Sequence, residues 1–573
     1  MADVGAASRR PTLYGSRHAV SAGHHLAAAA GFAVLEAGGN AVDAGCCAGI
    51  CLGVLHSDEV NVAGVAPIMI RTADGRVETI AGLGHWPRAR DPQVFMREHD
   101  GQIPLGVLRT VVPAAPDAWI TALRDFGTMT FGDVAGAAIR HARDGFAVFP
   151  YLAEDIAENA DALERWPSVG AIFAPGGRPL SVGDRLVQAD LAATIQHMAD
   201  EETAAPGDRA AGLEAARAAF YEGDIAAAIV AHQCDQGGLL DRDDLAAFRS
   251  RYEPPVRIRW RDFEVLTCGP WCQGPVLAQA LRMLEAAGPM SGDPHAADHI
   301  HLVTEVLKSA FADREYRYGD PAMVDVGLDE LLSDTHVRAR LDGIDMRRAE
   351  PAMPPPLGRP FDLGLLPPAT DEMLGGVRPM DTSYVCVIDR WGNAFSATPS
   401  DGAFCSPAVP GLGIVPSSRG DQSRPDPRHP SGVAPGKRPR LTPNPAIAVR
   451  DDGSVFTFGC PGGDMQVQAM VQVFLNVFHF GMDVQEAINA PRFSTWSFPE
   501  SFAPFEYRAG LFGYEDRFPQ SVADDLESRG HRMERWPEFT RWAAAVEAIY
   551  LDTESGFLRA GADPRQPAYA IAD

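Results

Sequence analysis

Apolar residues change their spacing along this chain, and the changes mark its elements. Residues 24–37 are rich in Ala and Leu and stop at Gly38-Gly39, which predicts a helix with a glycine C-terminal stop. Asn40 follows as an N-cap with Asp43 three residues on, and a second helix of small residues runs to about Leu55. The Ala, Gly and Cys in both helices predict close packing. The runs 67–72 and 76–80 flank Ala73-Asp74-Gly75, a β-hairpin signal. Helical spacing dominates from about residue 112 to 341, most clearly in 134–143 and 297–311. In residues 349–381, Pro and Gly (including Pro354-Pro355-Pro356) replace periodicity, predicting an exposed, irregular linker. Strand-like runs at 383–389 and 394–398 bracket Arg390-Trp391-Gly392-Asn393, and a Pro/Gly/Arg-rich loop fills 399–443. Another hairpin, 446–449 with 454–458, turns at Asp451-Asp452-Gly453, and 466–478 reads as a helix. No internal repeat interrupts this order. Hairpins towards both ends with helices between predict an α/β architecture of sheets with helical layers outside. The strand order stays open.

Composition narrows the class. The 573 residues exceed one ordinary domain, and a hydrophobic share of 46% belongs to a globular chain rather than a disordered one. A formal net charge of -26 argues against nucleic acid or an anionic membrane as partner, while a few local arginines still suit an anionic substrate. No stretch approaches the roughly 18 apolar residues of a membrane span. No long apolar run follows Arg9-Arg10 as in a secretory signal, so a cytoplasmic location is expected. The nine cysteines, an odd number, do not suggest a disulfide framework. Cys268 and Cys272 lack the second pair of a zinc site. Buried free thiols, no metal and no cofactor are expected.

Familiar catalytic motifs are missing: there is no G-x-S-x-G, no H-E-x-x-H and no Walker loop, since Arg438 follows Gly436-Lys437. Two places remain. A linker ends at Asp381 where Thr382 opens a strand. A break there would give Thr382 a free α-amine, of pKa about 7.7–8.0, able to take the proton of its own hydroxyl. The plain alternative is a threonine that merely begins a strand. The second place is Gly459-Cys460-Pro461-Gly462-Gly463-Asp464, between a strand and a helix. Its N–H groups suit an oxyanion, and it equally suits a turn that needs glycine.

Together with other runs, these features resemble the gamma-glutamyltransferase family from about Gly15 to Arg565. The matching pieces are AGFAVLEAGGNAVDA at 30–44, ARDGF at 142–146, ADR at 312–314 with GDP at 319–321, and Asp381-Thr382-Ser383 through Gly392-Asn393-Ala394. GKRP at 436–439, PGG at 461–463 and NAPRF at 489–493 complete the set. The resemblance implies an N-terminal-nucleophile hydrolase αββα sandwich made of two subunits from one cleaved precursor. The cut would fall between Asp381 and Thr382, giving a large subunit, 1–381, and a small one, 382–573, with higher homo-oligomers open. It places Thr382 as nucleophile, Gly462 and Gly463 as the oxyanion hole, Ser400 where a threonine hydroxyl contacts the nucleophile, and Asp421 near the residue that holds a substrate α-amine.

The departures concern the substrate. The family's arginine for the glutamyl carboxylate falls in Leu83-Gly84-His85-Trp86-Pro87, which lacks it. Its serine pair becomes Leu441-Thr442, and an asparagine of the pocket becomes Gly402. Leucine cannot replace a charge-assisted pair. The resemblance therefore implies a retained reaction on a small non-glutamyl amide, as in oxamate amidohydrolases or cephalosporin-acylase-like members. Thr442, His85, Trp86 and Arg88 are the candidate substrate contacts, and Arg88, Arg90, Arg419 and Arg424 are candidate replacement anchors. A gamma-glutamyl hydrolase or transferase, a C–C bond hydrolase and a non-catalytic scaffold are the alternatives.

Overall fold

A computed structural model of the chain describes residues 10–288, 292–374 and 381–573. Two seven-stranded sheets lie at its centre. One runs Tyr569–Ala572, Ala19–Ala22, Val385–Ile388, Ala394–Ala397, Ile68–Arg71, Val77–Ile80, Tyr252–Glu253 in spatial order. The other runs Leu13–Gly15, Phe557–Gly561, Glu547–Asp552, Val455–Gly459, Ala446–Arg450, Phe263–Thr267, Val256–Trp260. Period-two alternation explains how they stack. Tyr384, Cys386 and Ile388 point into a core shared with Leu266, Ile447 and Ile549 of the other sheet. Val385 and Val387, on the opposite face, meet a helical layer. The second sheet turns Ala446, Phe456 and Phe458 outward against Gly274–Ala286 and Gln466–Phe478. This is the expected αββα sandwich.

The first helical layer lies close because its sequence is small. In Ala41–Leu55 all fifteen residues are buried. A Cβ on Gly45 would stand 2.1 Å from the Phe395 ring, and one on Gly49 2.5 Å from Trp119. Asn40 and Asp43 form the expected capping box. The Asp43 carboxylate also accepts from Thr128 N–H at 2.8 Å, tying this helix to the next segment.

Two expectations are amended. The mostly helical middle also contributes the pair Val256–Trp260 and Phe263–Thr267 to a sheet edge, where Val256, Ile258 and Trp260 are buried and Arg257 and Arg259 exposed. In the linker, residues 349–374 hold one short 3-10 turn, Leu363–Leu365, but Ala349, Met353 and Leu374 are buried rather than exposed. Residues 375–380 of the linker lie outside the described residues. Among the described residues no helix is long and apolar enough to cross a membrane.

Candidate active site

Strand register builds the site. Val385 pairs with Ala397, and the same antiparallel register continues past the strand ends, where Ser383 N–H donates to Pro399 O at 2.9 Å. Thr382 therefore comes opposite Ser400, and their hydroxyl oxygens are 2.6 Å apart. Both side chains are fully buried. Thr382 has φ +132°, a region that a β-branched residue rarely enters. Such backbone costs on the order of 1–3 kcal/mol and persists only where the surroundings impose it.

The imposing groups come from a loop. Arg419 and Asp421 share the 3-10 turn Arg419–Gln422. The Arg419 guanidinium donates to Ser400 Oγ and lies 2.7 Å from Asp381 Oδ1, while Gly402 N–H donates to Asp381 Oδ2 at 3.1 Å. Both residues at the Asp381–Thr382 bond are thus gripped. Burial works to lower the Arg419 pKa, but the carboxylates of Asp381, Asp401 and Asp421 outweigh it and hold the cation. Asp401 accepts from Ser417 Oγ at 2.5 Å and Ser418 Oγ at 2.7 Å; burial raises its pKa against the pull of Arg419. Burial likewise pushes the Asp421 carboxyl up to about 6, against the pull of Arg109 and Arg419. Arg109 Nη1 reaches Asp421 at 3.2 Å, and its other nitrogens donate to Pro104 O at 2.9 Å and Ile103 O at 2.8 Å.

A cavity of about 610 Å³ opens beside these groups, lined by Asp381, Gly402, Asp421, Arg109 and Phe502 among others. The glycine turn approaches from the second sheet. A Cβ on Gly459 would meet the Tyr384 ring at 2.3 Å, so that strand end lies against the residue two places after Thr382. Gly462 and Gly463 have φ of +116° and +56°. A Cβ on Gly463 would stand 3.4 Å from Phe502, whose ring lies 5.4 Å from the Arg419 guanidinium. Asp464 fixes both segments by accepting from Ser501 N–H and Ser501 Oγ, each at 2.7 Å, and from Arg314. Gln466–Phe478 follows as the helix.

Asp421 and Asp381 line this cavity, the Thr382–Ser400 pair lies fully buried behind them, and the glycine turn reaches the cavity's Phe502 wall. His85 and Arg88 stand apart from it. His85 Nδ1 lies 2.9 Å from Trp86 O, and the ring packs 6.1 Å from Phe248; burial lowers its pKa. Arg88 is exposed, 3.8 Å from Asp244. The intervening Trp86 faces the Arg419–Gln422 turn, with Nε1 donating to Ser423 Oγ at 2.9 Å and its ring over Gly420. Thr442 is fully buried and paired with Gln422, Oγ to Nε2 at 3.1 Å, while Leu441 belongs to the inter-sheet core. Sequence reasoning missed Arg109 and Phe502, which carry no motif, and gave Asp464 no role of its own although it ends the glycine run. Three carboxylates, Asp58, Glu59 and Asp155, cluster with ligand atoms within 4.8 Å of one another, and Asp58 and Asp155 line the same cavity. A cation is already supplied there by Arg541, which bonds Asp155.

Comparison with known proteins identifies the family. The family model described as Gamma-glutamyltranspeptidase matches residues 27–572. The Acylase ACY 1 proenzyme of Pseudomonas sp. (strain SE83) is 32% identical over 553 residues, covering 94% of this chain and 91% of the relative. Among solved structures, LmbA2991HD superposes with a TM-score of 0.93 at 35% identity, covering 99% of this chain and 100% of that one. A cephalosporin acylase from Bacillus halodurans does so at 0.85 and 27% identity, covering 99% and 97%. The αββα sandwich, the Thr382–Ser400 pair in its centre and these matches together place the chain in the gamma-glutamyltranspeptidase family, as a hydrolase of the N-terminal-nucleophile fold.

Proposed function

We propose that the chain cuts itself between Asp381 and Thr382, and that the new N-terminal threonine hydrolyses a small amide whose acyl group is not gamma-glutamyl. The observation that carries this reading is the Thr382 hydroxyl, 2.6 Å from Ser400 Oγ, on a strained residue beside a cavity of about 610 Å³. In self-cleavage, Thr382 Oγ attacks the Asp381 carbonyl carbon. The C–N bond breaks, and the nitrogen, taking a proton, becomes the α-amine. Water then splits the ester, leaving a carboxylate on Asp381 and the hydroxyl on Thr382. Relief of the φ strain and the grip of Arg419 on Ser400 favour the attack.

In turnover the α-amine takes the hydroxyl proton as Oγ attacks the substrate carbonyl. Gly462 and Gly463 N–H groups receive the oxyanion, the proton passes to the departing amine, and water hydrolyses the ester. The gamma-glutamyl head loses its anchors: Leu441 is core, and no arginine stands at Leu83-Gly84. Each lost charge-assisted bond weakens binding by on the order of 1.5–3 kcal/mol.

Intact-mass measurement should find a fragment beginning at Thr382, and Thr382→Ala should stay one chain. The cleaved protein should turn over simple acyl anilides at least tenfold better than the gamma-glutamyl anilide. Active protein of one uncut chain would sink the nucleophile assignment. A preference for the gamma-glutamyl anilide would replace the substrate reading with a glutathione-hydrolase-like one.

A further inference from the structure

We propose that Arg419 and the Gly402 N–H form an anion site that Asp381 fills before cleavage and a substrate carboxylate fills afterwards. The acyl group would then carry its own carboxylate, three bonds from the carbonyl that Thr382 attacks, as in a succinyl monoamide. This rests on the proposed cut at Asp381–Thr382.

The first amide this site meets is its own. Asp381 supplies the carbonyl next to Thr382, and its side-chain carboxylate stands three bonds away along Cα and Cβ. That carboxylate is the group the site holds: Oδ1 lies 2.7 Å from Arg419 Nη2, and Oδ2 accepts from Gly402 N–H at 3.1 Å. Asp381 lines the cavity, so the acyl group of the precursor and the space for a substrate are continuous.

Hydrolysis makes Asp381 a chain end, free to leave with the linker, while Thr382 stays. Arg419 is then left fully buried without its nearest anion. The other carboxylates nearby are engaged: Asp421 with Arg109, Asp401 with the hydroxyls of Ser417 and Ser418. Among the described residues Arg419 Nε has no acceptor in the uncut chain either. A buried guanidinium that loses its partner is costly, and an incoming carboxylate restores the charge balance the fold already tolerates.

Gly402 gives this site its shape. A Cβ there would stand 2.3 Å from Asp58 O and 3.5 Å from Asp381 Cβ. The Asp58 backbone therefore excludes a side chain at 402, the Asp381 side chain lies at ordinary contact distance from that position, and the Gly402 N–H donates to its carboxylate. The anchor is distinct from the family positions lost at Leu83-Gly84 and Leu441-Thr442. It also sets a length: a butyryl group reaches the site without charge, and a glutaryl group overshoots by one methylene.

The test needs no turnover. Uncut Thr382→Ala protein should bind succinate weakly, because Asp381 occupies the site. The uncut double variant Asp381→Ala/Thr382→Ala should bind it at least tenfold more tightly by titration calorimetry, and bind butyramide, which has the chain but no carboxylate, no better than the single variant does. Adding Arg419→Lys should remove most of that gain. In the cleaved wild-type protein, succinyl p-nitroanilide should show a KM at least tenfold below butyryl p-nitroanilide, with glutaryl between. Equal succinate binding by the single and double variants, or no preference over butyramide, would overturn the anion site. Self-cleavage elsewhere or none at all would remove the proposed function, while the calorimetric comparison would still report on Arg419 and Gly402.

Discussion

Substituting the two turn glycines one at a time separates backbone placement from mere turn propensity. Gly462 has φ +116°, and a Cβ there would come 2.8 Å from Ala544 Cβ and 3.2 Å from Ala544 Cα. Ala544 is buried and itself at φ +60°, so it has little room to retreat. Gly462→Ala thus combines a backbone penalty of about 1–3 kcal/mol with a collision against main chain. Rotating residue 462 to relieve it swings the following N–H, that of Gly463, off the oxyanion. Losing one such donor costs about 2.7–4 kcal/mol, or about 10²–10³ in kcat. Gly463 is different. Its φ of +56° is the left-handed well that alanine enters for about 1–2 kcal/mol, and its Cβ would meet Phe502 at an ordinary 3.4 Å. Gly463→Ala should lose less than about tenfold in kcat. The assay is single-turnover hydrolysis of an acyl anilide by variants verified as cleaved, with Tm measured alongside. Equal effects, or a Gly462→Ala enzyme within threefold of wild type, would refute the placement of the oxyanion at this turn.

Ser400→Ala removes the hydroxyl that joins Thr382 to Arg419, a charge-assisted bond of about 1.5–3 kcal/mol, so self-cleavage followed on a denaturing gel should slow by about 10- to 100-fold, with Ser400→Thr restoring most of the rate. Asp421, raised to about 6 by burial, binds its proton more tightly folded than unfolded. Its contribution to stability is therefore full below about pH 4 and lost as pH rises through 6, on the order of 3 kcal/mol in all. Between pH 5 and 8 the wild-type Tm should fall relative to that of Asp421→Asn, and parallel curves would refute that titration.

Local chemistry was legible where it repeats a short-range rule. Asn40 and Asp43 announced a cap, Gly38 a stop, and the Asp451-Asp452-Gly453 turn a hairpin, because each depends on neighbours in sequence. The alternation of Val256, Ile258 and Trp260 was equally readable, yet it was lost inside a helical stretch. Ser400 was found through a resemblance, although the register of the 385–397 hairpin alone sets it opposite Thr382. Arg109 left no trace, since its partner Asp421 lies 312 residues away and nothing local distinguishes a buried arginine from an exposed one. His85, Trp86 and Arg88 were drawn to the site because their segment matches the one that carries the family's arginine; alternation separates His85 from Trp86, and a turn at 88–89 leaves Arg88 exposed.

The interleaving of strands gives the proposed cut a thermodynamic direction. In one sheet, Val385–Ile388 and Ala394–Ala397 lie between Ala19–Ala22 and Ile68–Arg71. In the other, four strands from beyond residue 382 are flanked by Leu13–Gly15 and Phe263–Thr267. Neither fragment owns a complete sheet. Before cleavage, unfolding releases one chain whose collapse is unimolecular and independent of dilution. Afterwards it releases two unlike chains that must meet again, so recovery depends on concentration. On dilution the cut form then relies increasingly on the height of its unfolding barrier, and breaking a single peptide bond makes recovery of the fold depend on concentration.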